Sequence, residues 1–223
     1  MPDLDSYPPL RDRIKPGVRV LFVGINPGVR SALSGHHFAG FSNRFWKLLF
    51  ESKLVPEPLT FEDDDRLPEF NFGITNIVPR ATPSISTLAP AEYVAGRLRL
   101  RRKVLRYKPP VIAMVGVTVF RAMFPERRDA VKLGPQPERV GDAEVFVLPN
   151  PSGRNANFTY AEMLAAFRAL RRRIHRRSGV KETRWATRLR YQDRDRGGDL
   201  THDVARSGTG VRPKVAYRHN MLQ

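Results

Sequence analysis

Short apolar runs alternate with longer amphipathic segments along residues 1–178. Four runs are short and apolar, as buried parallel strands tend to be: 18–23, 71–75, 111–115 and 145–148. The longer segments between and after them carry the signals of helices. Strands and helices that alternate at this spacing predict an α/β fold, with helices on both faces of a parallel sheet.

Three segments show the caps and the 3.6-residue period of amphipathic helices. The first follows Ser42, a good cap residue, and the second spans 90–107 behind a proline at its first position. The third follows a predicted capping box of Thr159 and Glu162. The apolar positions predicted to face the core are Phe45, Leu48 and Leu49 in the first helix, Val94, Leu98 and Leu105 in the second, and Met163, Phe167, Leu170 and Ile174 in the third.

The charge is strongly basic and unevenly distributed. The chain has 39 Lys and Arg against 22 Asp and Glu, a formal net charge of +17, which favours a polyanionic partner, most often nucleic acid. Residues 171–223 hold 15 basic and 5 acidic residues, a net +10. We predict a folded domain over 1–178 and a disordered basic tail over 179–223, which either adds affinity for phosphates or is uninvolved. The acidic run 62–65 (EDDD) is predicted to be a solvated loop.

Several kinds of chemistry are excluded or disfavoured. Without cysteine there is no disulfide, thiolate zinc site, cysteine nucleophile or iron–sulfur cluster. The longest apolar run, 111–120, is too short to span a bilayer, and the N-terminus lacks a secretory pattern, so we expect a soluble intracellular protein. His36 and His37 are adjacent without a spaced carboxylate, which disfavours a metal site. The segment GINPG fits neither the dinucleotide nor the P-loop pattern, and no cofactor is predicted.

Three unusual segments each follow a predicted strand: GINPG (24–28), NIVPRAT (76–82) and PNPSGRNAN (149–157). Ligands of open parallel sheets bind beyond the carboxyl ends of the strands, so the three segments predict one common site. In the first of them, Gly24 and Gly28 permit a sharp turn or a close approach, and Pro27 stiffens the loop. The loop therefore presents the Asn26 side chain in one direction.

The segments resemble those of the mismatch-specific uracil-DNA/thymine-DNA glycosylase family, a branch of the uracil-DNA glycosylase superfamily. The resemblance rests on GINPGVRSALSGHHFAGFSNRFWKLLF, GITNIVPRATP and LPNPSGRNA, in the family's order and spacing, and runs from about residue 18 to 174. It implies a three-layer α/β/α sandwich and a monofunctional, metal-free DNA glycosylase. Such enzymes cleave the N-glycosidic bond of uracil, and in some cases of thymine or modified pyrimidines, opposite guanine.

Asn26 is the predicted catalytic residue. A side-chain amide does not titrate usefully, but its carbonyl oxygen can hold a water beneath the anomeric carbon. The three segments contain no carboxylate pair of the kind that ordinary glycosidases use. We therefore expect a dissociative mechanism, in which backbone N–H groups around Ile25 and Phe38 stabilise the departing base anion and water traps the sugar.

The resemblance also implies base-binding residues. Phe38 matches the aromatic that stacks on the flipped-out base, and the neighbouring His37 is expected to touch the sugar or the DNA backbone. Asn76 matches the thymine-DNA glycosylase branch, where bacterial relatives often have lysine. An amide both donates and accepts, so we predict broad choice among pyrimidines. Thr82 matches a hydroxyl near the pocket wall, with a turn-forming Thr-Pro step as the alternative.

The segment 149–157 resembles the family's wedge loop. Arg154 is expected to enter the gap left by the flipped nucleotide and to contact the orphan guanine, with Asn155 beside it. The bacterial branch often carries leucine at the wedge, so the position of the wedge within the loop is the less defined part of the prediction. The alternative is a phosphate site made by the amides of Ser152 and Gly153.

The predicted function is the excision of uracil mispaired with guanine in double-stranded DNA during base excision repair, which leaves an abasic site. Pro79 stands where relatives commonly have an acid, so we expect modest or narrow activity. The alternatives are a glycosylase that prefers hypoxanthine, xanthine or damaged bases, and a catalytically silent mismatch-binding protein. We expect a monomer that binds double-stranded DNA with G·U or G·T mismatches and does not bind a membrane. Enzymes that repair abasic sites downstream are expected partners. The expected location of the protein is the cytoplasm, in association with the nucleoid, in a bacterium, or the nucleus in a eukaryote.

Overall fold

A computed structural model describes residues 9–178, so the predicted tail over 179–223 lies outside the described residues. The strands are β1 Val20–Gly24, β2 Phe72–Asn76, β3 Val111–Val115, β4 Gly134–Val140 and β5 Ala143–Leu148. The α-helices are α1 Val29–Ser34, α2 Phe45–Glu51, α3 Pro90–Tyr107, α4 Val117–Met123 and α5 Tyr160–Ser178, and 3₁₀ helices span Phe61–Phe70 and Ile85–Thr87. No helix in the described range is both long enough and apolar enough to cross a membrane.

The five strands form one sheet in the order β2-β1-β3-β5-β4. Strands β2, β1, β3 and β5 run parallel to one another, and β4 pairs antiparallel with β5 at the edge. The predicted α/β fold with a mainly parallel sheet is therefore confirmed, and each of the four predicted strands is present with its ends within two residues. The edge strand β4 was not predicted, because Pro135 and Pro137 interrupt its pattern. An edge strand tolerates prolines, since one side of it needs no ladder hydrogen bonds.

Two hydrophobic cores lie on opposite faces of the sheet. Phe22 of β1 belongs to one core, with α2 and α5, while Leu21 and Val23 belong to the other, with α3 and α4. This arrangement gives the helix–sheet–helix layers expected from the sequence. The predicted core positions of α2 and α5 are all buried: Phe45, Leu48, Leu49, Met163, Phe167, Leu170 and Ile174.

The buried face of α3 differs from the prediction. Val94, Leu98 and Leu105 are exposed, and the buried residues of this helix are Gly96, Leu100 and Val104. A Cβ on Gly96 would lie 2.6 Å from the backbone oxygen of Ile77. The helix thus approaches the sheet so closely that its packing face needs a glycine, a feature that a hydrophobic pattern does not register.

The helix caps agree with the sequence in one case and differ in the other. Glu162 Oε2 accepts from the Thr159 N–H at 2.7 Å and Thr159 Oγ1 accepts from the Glu162 N–H at 3.3 Å, so the predicted capping box is present. The cap predicted at Ser42 is wrong, since α2 begins at Phe45 and the Phe45 N–H donates to Asn43 Oδ1 at 3.0 Å. Asn43, two residues before the helix, thus satisfies the first N–H of α2 in place of Ser42.

Candidate active site

A cavity of about 500 Å³ opens at the carboxyl edge of the sheet. The segments 24–28, 76–82 and 149–157 all contribute residues to its lining, so the sequence correctly predicts that they meet at one edge. The predicted site residues that line it are Gly24, Ile25, Asn26, Pro27, Gly28, Phe38, Asn76, Ser152 and Arg154. His37, Thr82, Gly153 and Asn155 do not line it, and their positions are described below.

The amide nitrogen of Asn26 is held by three acceptors. It donates to Thr82 Oγ1 at 2.7 Å, to the Arg80 carbonyl at 3.1 Å and to the Pro27 carbonyl at 3.2 Å. Because a backbone carbonyl can only accept, these contacts fix which end of the amide is nitrogen. The carbonyl oxygen is therefore the end of the Asn26 amide that a ligand in the cavity can meet.

Backbone hydrogen bonds join the loop after β1 to the segment after β2. The Ile77 N–H donates to the Gly24 carbonyl at 2.9 Å, and the Thr82 N–H donates to the Pro27 carbonyl at 3.1 Å. These bonds fix the spacing between Asn26 and the groups that hold it. The β-strand pairing of β1 with β2 thus extends into the site itself.

Thr82 lies behind Asn26 rather than in the cavity wall. Its hydroxyl is buried, accepts from Asn26 and donates to the Ser84 carbonyl at 2.8 Å. A hydroxyl can do both at once, which suits it to fix an amide while it is itself fixed. The geometry makes Thr82 a positioning residue for Asn26, and it is also part of the turn that the Thr-Pro step predicted.

Arg80 ties the same segment to α3. Its guanidinium forms a two-pronged ion pair with Glu92, at 2.8 and 2.9 Å, and donates to the Thr87 carbonyl at 3.1 Å. The Arg80 guanidinium and the Ala89 N–H hold the pKa of Glu92 at about 2, well below its usual value. The ion pair steadies the Arg80 backbone, whose carbonyl accepts from Asn26.

Phe38 forms one wall of the cavity. Its ring stacks on Phe45 with centroids 4.2 Å apart, and its backbone has a φ of +53°, in the left-handed region. A Cβ on Gly24 would lie 2.5 Å from Asn76 Oδ1 and 3.6 Å from Phe38 Cζ. Gly24 therefore allows the amide of Asn76 and the ring of Phe38 to close over the end of β1.

His37 does not line the cavity, contrary to its predicted contact with the sugar or the DNA backbone. It is 2% exposed, and its Nε2 lies 3.0 Å from the Arg11 carbonyl, which can only accept, so Nε2 carries the proton. Nδ1 is then free to accept from Asn76 Nδ2 at 3.4 Å. Burial lowers the pKa of His37 and favours this neutral form. His37 positions Asn76 from behind.

Asp64 was predicted to be solvated and is instead fully buried. Its Oδ1 accepts from Arg13 Nε at 2.9 Å and lies 3.0 Å from His36 Nδ1, while Oδ2 accepts from the His37 N–H at 2.8 Å. The carboxylate thus anchors the turn that leads into Phe38. The surrounding acids do not share this role, since Glu62 and Asp65 are exposed and Asp63 contacts Thr60 and Arg66.

The wedge-like segment is held to the turn that precedes α2. The Arg44 N–H donates to the Pro151 carbonyl at 2.9 Å, and a Cβ on Gly153 would lie 2.4 Å from Ser42 Cβ. Gly153 therefore serves close packing between two loops. Arg154 beside it is exposed at the mouth of the cavity.

Asn155 and Ser152 shape this segment from within. The side chain of Asn155 donates to the Asn150 carbonyl at 2.8 Å and accepts from the Asn157 N–H at 3.1 Å, so it is folded back into the loop. The Ser152 N–H donates to Asn150 Oδ1 at 3.0 Å. This amide is engaged within the loop, which weakens the alternative of a phosphate site built on the Ser152 and Gly153 amides.

The family model of the Uracil DNA glycosylase superfamily matches residues 12–171. The chain belongs to this superfamily. Members of this superfamily are DNA glycosylases, hydrolases that act on damaged bases in DNA during base excision repair. The chain is therefore a DNA glycosylase. The family also accounts for the fold, with its mainly parallel sheet between layers of helices.

The glycosylase carries further cavity residues that sequence reasoning missed. Asn43 and Asn150 line the cavity, and both were visible within the quoted motifs SNRFW and PNPSG. Gly116, the residue after β3, also lines the cavity, and a Cβ on it would lie 3.4 Å from Asn150 Cβ. No sequence signal marked Gly116, because no unusual motif follows that strand. Arg30 of α1 also reaches the lining.

The cavity of the glycosylase is lined without an Asp or a Glu among the described residues. In the described range there is also no group of three or more His, Asp or Glu side chains that could hold a metal ion. Pro79 borders an adjoining cavity of about 120 Å³, which shares Pro27 and Asn76 with the main cavity and is also lined by Asp12. The main cavity offers oriented amides, backbone dipoles, an aromatic wall and the guanidinium groups of Arg30 and Arg154.

Proposed function

We propose that this glycosylase is monofunctional and hydrolyses the N-glycosidic bond of uracil opposite guanine in double-stranded DNA. The observation that carries the proposal is the orientation of Asn26, whose nitrogen is bound to Thr82 and to two carbonyls. Its oxygen is left to hold a water in a cavity that has no carboxylate among its described lining residues. This arrangement suits a reaction in which water is positioned rather than deprotonated in advance.

The proposed reaction is dissociative. The bond between C1′ of the sugar and the base nitrogen breaks, and the base keeps the electron pair. Backbone N–H groups of Ile25 and Phe38 stabilise the charge on the base oxygen, as donors of an oxyanion hole do. The water held by Asn26 then attacks C1′ and passes its proton to solvent or to the departed base, which leaves an abasic site.

Access to the bond requires that the nucleotide leave the duplex, at a cost of a few kcal/mol that is lower for a mismatched base. Phe38, backed by Phe45, offers a stacking surface for the base in place of the one it leaves. A stack of this kind is worth about 1–3 kcal/mol. Arg154 is proposed to fill the vacated space and to meet the acceptors of the orphan guanine.

Base choice is proposed to rest on Asn76 and on the leaving group. His37 accepts one hydrogen of the Asn76 amide, so the second hydrogen and the carbonyl oxygen remain for a base. This pattern serves uracil, thymine and pyrimidines modified at C5. Without a general base the rate should follow leaving-group quality, so uracil is expected to be released faster than unmodified thymine.

The test uses the full chain and a set of duplexes. Uracil, thymine, hypoxanthine or ethenocytosine is placed opposite guanine, and abasic sites are cleaved with alkali after incubation. We expect the fastest excision from the uracil duplex and measurable excision from at least one C5-modified pyrimidine. Preferential excision of hypoxanthine would favour the glycosylase of different base choice, and binding without cleavage of any duplex would favour the silent mismatch-binding protein.

A further inference from the structure

Phe41 is exposed on the rim of the cavity. With 93% of its surface accessible, it is the most exposed of the large apolar residues in the described part of the chain. Its neighbours Gly40 and Ser42 both line the cavity. An exposed aromatic ring at the mouth of a binding site offers apolar area that gains free energy when a partner covers it.

The guanidinium of Arg30 holds the ring of Phe41. Arg30 Cζ lies 3.2 Å from the centroid of the Phe41 ring and 5.3 Å from that of Phe61. Its Nη1 is buried without a hydrogen-bond partner among residues 9–178. The cation thus supports one face of an aromatic ring that stays open to solvent on the other.

The position of Phe41 is fixed relative to the wedge-like segment. Its loop contacts that segment twice, through the Arg44 N–H to the Pro151 carbonyl at 2.9 Å and through Ser42 against Gly153. Arg154, exposed on the second loop, and Phe41, exposed on the first, therefore lie at the mouth of one cavity on loops that are locked together.

We propose that Phe41 is a further DNA-contacting residue, whose open face stacks on a base of the substrate duplex next to the extruded nucleotide. The inference rests on the proposed function, since it requires a nucleotide to leave the duplex at this cavity. Extrusion exposes the faces of the neighbouring bases, and every base offers a flat surface to an aromatic ring. The Arg30 cation beside the ring meets the negative charge of the nearby phosphates.

The test compares Phe41→Ala and Phe41→Trp with the unmutated full chain. Binding is measured by titration against a duplex that carries a stable abasic-site analogue opposite guanine, with 2-aminopurine next to the analogue. Leu105→Ala is the matched control, because Leu105 is 66% exposed and lies near the end of α3 that leads into β3, at the amino edge of the sheet. Single-turnover excision of uracil from a G·U duplex is measured for all four proteins.

We expect Phe41→Ala to weaken binding by about 5- to 30-fold, the low part of the range for a lost base stack. Phe41→Trp and Leu105→Ala should bind like the unmutated chain. The salt dependence of binding should stay unchanged in Phe41→Ala, since no phosphate contact is removed. Quenching of 2-aminopurine should be lost in Phe41→Ala and kept in Phe41→Trp.

Equal binding and equal quenching by Phe41→Ala and the unmutated chain, while that chain excises uracil, would overturn the inference and leave the proposed function intact. A loss of binding by Leu105→Ala as large as that by Phe41→Ala would also overturn it, because exposed apolar area in general would then be responsible. Failure of the unmutated chain to excise any base is the separate outcome that contradicts the proposed function.

Discussion

Substitution of Thr82 by valine removes one hydrogen bond to the Asn26 amide and keeps the approximate volume of the side chain. Asn26 Nδ2 loses its 2.7 Å acceptor but keeps the Arg80 and Pro27 carbonyls, at 3.1 and 3.2 Å. The amide is therefore not orphaned, and Asn26 loses one ordinary hydrogen bond, about 0.5–1.5 kcal/mol. The Ser84 carbonyl also loses the Thr82 hydroxyl but keeps that of Thr87, at 2.8 Å. If the energy of the lost bond to Asn26 serves to orient this residue in the transition state, the rate of base release should fall by about 2- to 13-fold.

The assay is single-turnover excision of uracil from a G·U duplex, with binding to an abasic-site duplex measured beside it. Thr82 does not line the cavity, so affinity should change by less than about twofold while the rate falls. Thr82→Ser keeps the hydroxyl and should recover the rate. Thr87→Val is the matched control, because Thr87 also donates to the Ser84 carbonyl at 2.8 Å and its side chain is not one of the three acceptors of the Asn26 amide.

A folded Thr82→Val protein that releases uracil at the unmutated rate would refute this reasoning. So would a Thr87→Val protein that is slowed as much as Thr82→Val, since the loss would then come from the turn at Ser84. Thermal unfolding of each variant separates a slowed reaction from a loss of folded protein.

Three other perturbations test neighbouring parts of the account. Gly24→Ala places a Cβ 2.5 Å from Asn76 Oδ1 and should displace that amide. We therefore expect the ratio of the excision rates of uracil and a C5-modified pyrimidine to change more than the affinity for the duplex does. An unchanged ratio would contradict the proposed role of Asn76 in base choice. The pKa of Glu92 is lowered from 4.5 to about 2, so the unmutated protein should be more stable than Glu92→Gln above pH 4.5 and should lose this advantage as the pH falls towards 2. Urea unfolding of both proteins across that range measures the difference in their free energies of unfolding. A difference that does not change with pH would argue against the ion pair with Arg80. Truncation after Gly179 removes a basic segment and should weaken DNA binding mainly at low salt and flatten the salt dependence; equal affinity at low ionic strength would mean that the tail is uninvolved.

The sequence predicts the parts of the fold that depend on local pattern. The buried strands appear as apolar runs, the stripe of α5 as a 3.6-residue period, and its cap as Thr159 with Glu162. The meeting of three loops at one edge follows from parallel strands alone. These features need no knowledge of which distant residues touch.

The sequence fails where a tertiary contact outweighs a local pattern. Gly96 faces the core although Val94 and Leu98 are more apolar, because Ile77 approaches too closely for a side chain. Asp64 is buried within an acidic run because its partners, Arg13 and the His37 N–H, come from other segments.

The site follows the same division between local pattern and tertiary contact. Asn26 is marked by the glycines and the proline around it, whereas the roles of Thr82 and His37 as supports depend on which way each side chain turns. A pattern within one segment carries no signal for that direction. One local signal was available and unused, since Thr60 and Asp63 form a capping box that predicts the 3₁₀ turn around Asp64.

The central claim is that the Asn26 carbonyl oxygen positions the attacking water. Its most direct test is single-turnover excision of uracil from a G·U duplex by Asn26→Ala, with binding to the same duplex measured in parallel. Loss of positioning costs about 100-fold in rate, so we expect a fall of at least that size with affinity close to that of the unmutated chain. Excision by Asn26→Ala at the unmutated rate would contradict the account.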